Sequence, residues 1–193
     1  MNSLRMLLTA CVLVAPSFAA AFDNERSGFM LGIGAGLHTI GLDFNYNGVT
    51  IASDSESGIA TSFRIGWGFT DQFSLYYVRN ASWYRAPYFD GISLYDTTFA
   101  VGIMGVGGTY YFSPSAPSAY FLGALGLGDI SAPFDSDIDS DTGIAYMLGV
   151  GYEFVTHVPV ELLFLSTDIE SSDLSGFNMQ TSSVLLTVNY LWY

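Results

Sequence analysis

Segments in which apolar side chains recur at every second position run through this 193-residue chain, and they constrain its fold more than any other feature. The clearest lies between Gly58 and Phe69. One face of this segment carries Ile59, Thr61, Phe63, Ile65, Trp67 and Phe69, and the other carries Ala60, Ser62, Arg64, Gly66 and Gly68. Successive side chains of a β-strand point to opposite faces, so this period predicts a strand with one apolar face.

The pattern predicts eight strands separated by alternately long and short connections. The predicted strands are residues 28–42, 58–69, 73–84, 97–112, 119–128, 143–155, 159–169 and 178–193. Short turns are predicted at 70–72, 113–118 and 156–158, and long polar loops at 41–57, 85–96, 129–142 and 170–177. This alternation is typical of even-stranded membrane barrels, which have long outer loops and short periplasmic turns. Most of the strands are long enough to cross a bilayer, which takes about 9–11 tilted residues.

The segment from Ser182 to Tyr193 is predicted to be the strand that closes the barrel. Its apolar face carries Val184, Leu186, Val188, Tyr190 and Trp192. An unpaired strand of this kind would aggregate, so we expect it to pair with both the seventh and the first strand. Tyr193 falls outside the apolar face, and the pattern gives it no role.

Composition and the N-terminal segment agree with export to a membrane. Half the residues are hydrophobic and the mean hydropathy is +0.38, yet beyond residue 21 no apolar run approaches the roughly 20 residues of a spanning helix. Residues 1–21 are interpreted as a cleaved secretory signal, which leaves 22–193 as the barrel domain. The single cysteine, Cys11, lies in that signal; the alternative is a lipoprotein cleavage box at Leu8 to Cys11.

Charge excludes one class of partner. The chain has 18 acidic and five basic residues, a net charge of −13 and no lysine. Nucleic acid is therefore not expected as a partner, because phosphate binding needs a basic patch.

Four segments resemble the small eight-stranded outer-membrane barrels of the OmpA/OmpX type. They are Gly32 to Gly36 (GIGAG), Phe69 to Leu75 (FTDQFSL), Gly108 to Phe112 (GTYYF) and the terminal aromatic strand. The resemblance implies an all-β, eight-stranded antiparallel up-and-down transmembrane barrel in the outer membrane of a Gram-negative bacterium, expected to be monomeric. It also implies that the barrel-assembly machinery reads the terminal aromatic, either Trp192 or Tyr193.

Strand parity places Arg64, Glu153 and Glu161 inside the barrel. Buried charges need partners, so we expect these three to pair as a charged plug, with a gated proton or ion path as the alternative. Parity directs Arg79 towards lipid, where it could meet lipopolysaccharide phosphates. The alternative is a local bulge that turns Arg79 inward.

Four alternating carboxylates mark the most acidic loop: Asp135, Asp137, Asp139 and Asp141. They could gather a weakly bound Ca²⁺ ion, or they could form only a solvated loop. The spacing does not fit an EF-hand, and no other cofactor is expected.

The two histidines complete the candidate chemistry. Neither His38 nor His157 has a clear nucleophile or acid partner in the sequence, so no enzyme is expected. The sequence favours a structural or surface-interaction barrel that acts through its outer loops and contacts outer-membrane lipid and lipopolysaccharide. The alternatives are a lipid A-modifying enzyme and a secreted, soluble ligand-binding barrel.

Overall fold

The structure is a computed structural model, and it describes residues 25–89, 93–135, 138, 140–171 and 175–193. The strands are β1 (Gly28–Tyr46), β2 (Val49–Thr70), β3 (Phe73–Phe89), β4 (Leu94–Tyr111), β5 (Ser118–Ser131), β6 (Asp141–Val155), β7 (Val158–Glu170) and β8 (Phe177–Trp192). The prediction of eight strands is confirmed. The described residues contain no helix with the length and apolar character needed to cross a membrane. The proposed signal, residues 1–21, lies outside the described residues.

The strands form a closed antiparallel ring in chain order, from β1 to β8. Strand β8 pairs with β7, where Val160 is opposite Val188, and with β1, where Leu31 is opposite Trp192 and Tyr46 is opposite Phe177. The predicted closing strand is therefore confirmed, and the ring has no free strand edge.

The barrel exposes large apolar side chains on its outside, and its interior combines buried charged and polar groups with apolar ones. On β2 the outward Ile59, Phe63 and Trp67 are exposed, whereas the inward Ser62 and Arg64 are buried. A water-soluble barrel would have the opposite pattern, since it must hide its apolar side chains. An outward apolar surface is what lipid tails solvate.

The outward apolar surface ends at a sharp boundary, which we call the belt edge. Leu37, Ile59, Trp83 and Ala100 form one row of paired residues across β1 to β4. The next outward residues along these strands are Thr39, Ser57, Arg85 and Thr98. From Ile59 down to Phe69 the outward face of β2 is apolar apart from Thr61, a span of 11 residues that matches the roughly 9–11 needed for a tilted bilayer crossing.

The prediction of a loop at 41–57 is wrong, because this stretch forms a two-stranded ribbon. Strand β1 continues to Tyr46, β2 begins at Val49, and only Asn47 and Gly48 form the turn. Both turn residues have positive φ, 50° and 79°, as in the type I′ hairpin turns that Asn-Gly favours. Ile40, Leu42 and Phe44 of β1 still face an apolar interior beyond the belt edge, but residues 49–55 of β2 are exposed on both faces, so the alternation that identified the other strands is lost there.

The other connections at this end are also shorter than predicted. Past the belt edge, β3 continues to Phe89 and β4 begins at Leu94. The two remaining loops comprise only residues 132–140 and 171–176. We call this end of the barrel the ribbon end. The opposite end, with connections at 71–72, 112–117 and 156–157, is the turn end.

Candidate functional site

The centre of the barrel holds a buried ion pair between opposite walls. Arg64 on β2 donates from Nη1 to Oε1 of Glu161 on β7 at 2.7 Å, and its second Nη nitrogen contacts the other carboxylate oxygen. Arg64 is 2% exposed and Glu161 is 0% exposed. The Tyr120 hydroxyl donates to Glu161 as well, and the Arg64 guanidinium lies 5.3 Å from the centre of the Tyr76 ring. The pair is thus held on several sides, as a buried charge pair requires.

Tyr120 reaches this carboxylate because a glycine gives it room. A Cβ atom on Gly151 would lie 2.2 Å from Cζ of Tyr120, so the ring occupies the space that any other residue at 151 would fill. The absence of a side chain at Gly151 therefore positions the hydroxyl donor to Glu161.

A second buried pair closes the turn end. Arg26, which precedes β1, donates from Nε to Oε2 of Glu153 at 2.9 Å and from Nη1 to the carbonyl oxygen of Ser113 at 2.8 Å. Its guanidinium lies 3.9 Å from the centre of the Tyr111 ring. Burial disfavours the Arg26 charge, but the Glu153 carboxylate outweighs burial and raises the pKa of the guanidinium.

Tyr193 joins this second pair. Its side chain is 1% exposed, and its hydroxyl donates to Oε1 of Glu153, which also accepts from the backbone N–H of His157 at 2.8 Å. Burial, the hydrogen bond to Glu153 and the charge of Glu153 raise the pKa of the Tyr193 hydroxyl above its usual 10.0. The residue that the sequence pattern left without a role is therefore a donor to a buried carboxylate.

The three charges predicted as one plug are thus divided between two sites. Arg64 pairs with Glu161, and Glu153 pairs with Arg26, which strand parity could not include because it lies before the first strand. Its position next to β1 and the scarcity of cations in the chain were the only sequence signals for Arg26.

Above these pairs, towards the ribbon end, the interior is apolar. The buried residues there are Ile40, Leu42, Tyr84, Val101, Ile169 and Met179, with Phe44, Ala86, Phe99 and Ile130 packed against them. A larger apolar cluster, which includes Met147 and Leu163, surrounds the two ionic sites below. The described interior is therefore filled along its length, which suits an eight-stranded barrel.

Arg79 lies on the outside of β3 and is paired. Its guanidinium donates to both carboxylate oxygens of Asp129 on β5, at 2.8 Å for Nη2 to Oδ2. The two side chains are 28% and 10% exposed. Arg79 shares a row of paired residues with Met104 and Leu127, and Asp129 is the next outward residue of β5 beyond Leu127. The long Arg79 side chain therefore extends past the last outward apolar residue of β5 to reach its partner.

The predicted cation loop is only partly described. Asp135 accepts a hydrogen bond from the Tyr95 hydroxyl at 2.8 Å, and Asp141 begins β6 opposite Ile130. Asp137 and Asp139 lie outside the described residues. Within the described ranges no group of three or more metal-ligating side chains is found, and Ca²⁺ binding by this loop stays a prediction.

The two histidines lie at different levels of the barrel. His38 points into the barrel, with Nε2 3.0 Å from the backbone carbonyl oxygen of Trp83. Its Nδ1 has no hydrogen-bond partner among the described residues. His157 lies in the turn between β6 and β7, with its ring 4.8 Å from that of Tyr193. The hydrogen-bond contact of the His38 ring is therefore to a backbone carbonyl and not to the hydroxyl or carboxylate side chain of a catalytic pair.

Comparison with known proteins finds similarity in structure alone. No protein-family model and no curated protein matches the chain. Ail of Yersinia pestis, solved with the heparin analogue sucrose octasulfate, aligns with a TM-score of 0.51 and 17% identity over 85% of this chain and 99% of its own. Neisserial surface protein A (NspA) aligns with 0.51 and 20% identity over 85% and 97%, and OprG of Pseudomonas aeruginosa with 0.50 and 15% over 88% and 99%. This chain has the fold of the small eight-stranded outer-membrane β-barrels.

Proposed function

We propose that the chain is an outer-membrane protein that acts at the cell surface through its ribbon end. The filled interior carries this proposal. Two buried ion pairs and an apolar cluster occupy the lumen, so transport through the barrel would require several buried contacts to break. The apolar belt supports anchoring in a bilayer and disfavours the soluble ligand-binding alternative.

The tip of the first ribbon supplies a contact surface beyond the belt edge. Tyr46, Val49 and Ile51 are 50%, 64% and 62% exposed there. Large apolar side chains that project into water, away from the lipid-facing belt, are typical of surfaces that contact a partner. The hairpin pairing of β1 and β2 holds these side chains in place before any partner binds.

Charge indicates which partners this end favours. Described carboxylates at the ribbon end are Asp43, Asp54, Glu56, Asp96, Asp135, Asp141, Asp168 and Glu170. Arg79 is neutralised by Asp129 and the exposed Arg85, at the belt edge, is a single cation, so a polyanion that spread over the ribbon beyond the belt edge would meet a surface mainly of its own sign. We therefore expect neutral or cationic partners, in contrast to the sulfated ligand with which Ail was solved.

The closing strand suits recognition during assembly. Tyr190 is exposed on the outside of β8, Trp192 shares its face, and Tyr193 points inward to Glu153. We propose that Tyr190 and Trp192 are the aromatic residues that the barrel-assembly machinery contacts, and that Tyr193 is not.

Cysteine labelling tests the location and the orientation. The sole cysteine of the chain is Cys11, in the proposed signal, so one introduced thiol would report one position in the mature chain. We expect a membrane-impermeant maleimide to label Ser53→Cys, at the ribbon end, on intact cells. The matched variant Ser115→Cys, exposed at the turn end, should react only after the cells are broken; the reverse pattern would refute the orientation.

Two measurements test the role itself. In planar bilayers the purified barrel should show no steady ion conductance, and an open channel would contradict the closed interior. Binding to an array of proteins and glycans should fall for Val49→Ser/Ile51→Ser and persist for a matched change in the belt, Val106→Ser. Equal binding by both variants would remove the ribbon tip from the proposal.

A further inference from the structure

Arg85 is the one arginine of the described residues without a carboxylate partner. Arg26, Arg64 and Arg79 each form an ion pair, whereas the exposed Arg85 pairs with none of the described acids. In a chain with 18 acidic residues and no lysine, an unpaired guanidinium is an unusual feature. Its outward position immediately above Trp83 places its charge at the belt edge, the level of lipid headgroups.

An apolar groove lies directly below Arg85 on the outside of β2 and β3. It encloses about 610 Å³, and its walls include Ile59, Trp83 and Phe134, with Arg85 and Thr98 at its polar margin. Phe134 comes from the connection after β5, and its ring centre lies 6.3 Å from that of Trp83. Two aromatic side chains from distant parts of the sequence therefore form one wall of the groove.

The groove is formed in advance of any ligand. The indole Nε1 of Trp83 donates to Oγ1 of Thr61 at 2.8 Å, which fixes the plane of the ring. On the other side of Ile59 a second outward groove of about 560 Å³ includes Leu37, Val184 and Leu186. Ile59 lines both grooves, so two apolar channels converge just below one exposed cation.

We propose that this surface binds a phosphate-bearing glycolipid of the outer leaflet, with the phosphate on Arg85 and acyl chains in the two grooves. Charge complementarity selects a phosphate, because a guanidinium pairs with it through two hydrogen bonds. Two grooves that meet below one cation suit a lipid with several chains on one headgroup. The proposal rests on the outer-membrane location proposed above.

Arg79 is less suited to this role. Both of its Nη nitrogens already donate to Asp129, so a lipid phosphate would have to displace a carboxylate. The lipopolysaccharide contact predicted for Arg79 stays a prediction, and we assign the phosphate to Arg85, six residues further along the same face of β3.

Native mass spectrometry of the full barrel in detergent micelles tests the assignment. The probes are lipid A with two phosphates, the same lipid A after phosphatase treatment, and phosphatidylglycerol. We expect Arg85→Gln to weaken binding of the bisphosphorylated lipid about tenfold, as for loss of a charge-assisted hydrogen bond, and to leave the dephosphorylated lipid unchanged. Arg85→Lys should keep affinity within about threefold, because an ammonium still attracts phosphate.

Asp96→Asn is the matched control, since it removes an exposed charge of opposite sign on the neighbouring strand, close to Arg85. It should not weaken lipid A binding, and heat-modifiable gel mobility will show that each variant is folded. Unchanged affinity of Arg85→Gln for bisphosphorylated lipid A, or equally tight binding of phosphatidylglycerol, would overturn the proposal. If lipid A binding failed in this way while Ser53→Cys was still labelled on intact cells, the lipid site would be refuted and the proposed location would stand. Failure of the lipid site can thus be distinguished from failure of the proposed location.

Discussion

Removal of Arg64 should be among the most destabilising single changes in this barrel. The substitution Arg64→Met retains an unbranched apolar side chain but leaves the carboxylate of Glu161, 0% exposed, with Tyr120 as its remaining described donor. Breaking a buried pair in this way costs about 3–5 kcal/mol. Loss of the guanidinium near the Tyr76 ring adds about 1 kcal/mol, the usual size of a partly desolvated cation–π contact.

The double variant Arg64→Met/Glu161→Leu separates the cost of an unpaired charge from the cost of lost packing. Replacing both partners of a buried pair by apolar residues is often close to neutral. We therefore expect the double variant to be more stable than Arg64→Met by about 2–4 kcal/mol. The single variant Glu161→Leu completes the double-mutant cycle, from which the coupling energy is obtained.

Urea titration in detergent, followed by the gel shift between folded and unfolded barrel, measures these free energies of unfolding. Arg85→Gln is the control, because it removes an exposed arginine that has no described acid partner, and it should change stability by less than about 0.5 kcal/mol. If Arg64→Met cost less than about 1 kcal/mol, or if the double variant equalled the sum of its single variants, the pair would not be the desolvated contact described here.

Two further predictions concern the residues around the ionic sites. The pKa of the Tyr193 hydroxyl is raised in the folded chain, so below about pH 10 this hydroxyl is protonated in both the folded and the unfolded chain. Above about pH 10 the hydroxyl of the unfolded chain loses its proton first. The free energy of unfolding therefore falls as the pH rises. Tyr193→Phe should therefore show a shallower loss of the urea midpoint between about pH 9 and 11 than the parent, and an identical slope would contradict the contact with Glu153. Gly151→Ala should lower the free energy of unfolding by about 1–3 kcal/mol, because its Cβ would collide with Tyr120. Gly41→Ala is the control, since its Cβ would lie 3.8 Å from the Ser182 carbonyl oxygen. It should change the free energy of unfolding by less than about 0.5 kcal/mol in the same titration.

Much of the barrel could be predicted from the sequence because one face of each strand meets lipid. The alternation from Ile59 to Phe69 is a direct consequence of that contact, and it identified the strand and its inward residues together. The β2 half of the ribbon could not be found in the same way, because both faces of residues 49–55 are exposed. The Asn47–Gly48 turn was its available signal, and this dipeptide is a known hairpin signal.

The pairing inside the barrel was beyond the sequence for a different reason. Parity states that Arg64, Glu153 and Glu161 point inward, but the height of each residue in the lumen depends on the stagger between strands around the whole ring. That stagger brings β2 opposite β7 and leaves Glu153 to Arg26. The role of Tyr193 could not be predicted because it depends on the Glu153 carboxylate of β6, which only the folded barrel brings next to the Tyr193 hydroxyl.

Glu153 has a consequence for how the cylinder resists opening. Arg26 reaches it from before β1 and Tyr193 from after β8, so a single carboxylate on β6 fastens both sides of the β1–β8 seam. Mechanical or thermal rupture at that seam would strip both donors from a buried anion at once, in addition to breaking the ladder of backbone hydrogen bonds. The β1–β8 pairing, where the barrel closes, is therefore reinforced by side-chain contacts inside the barrel.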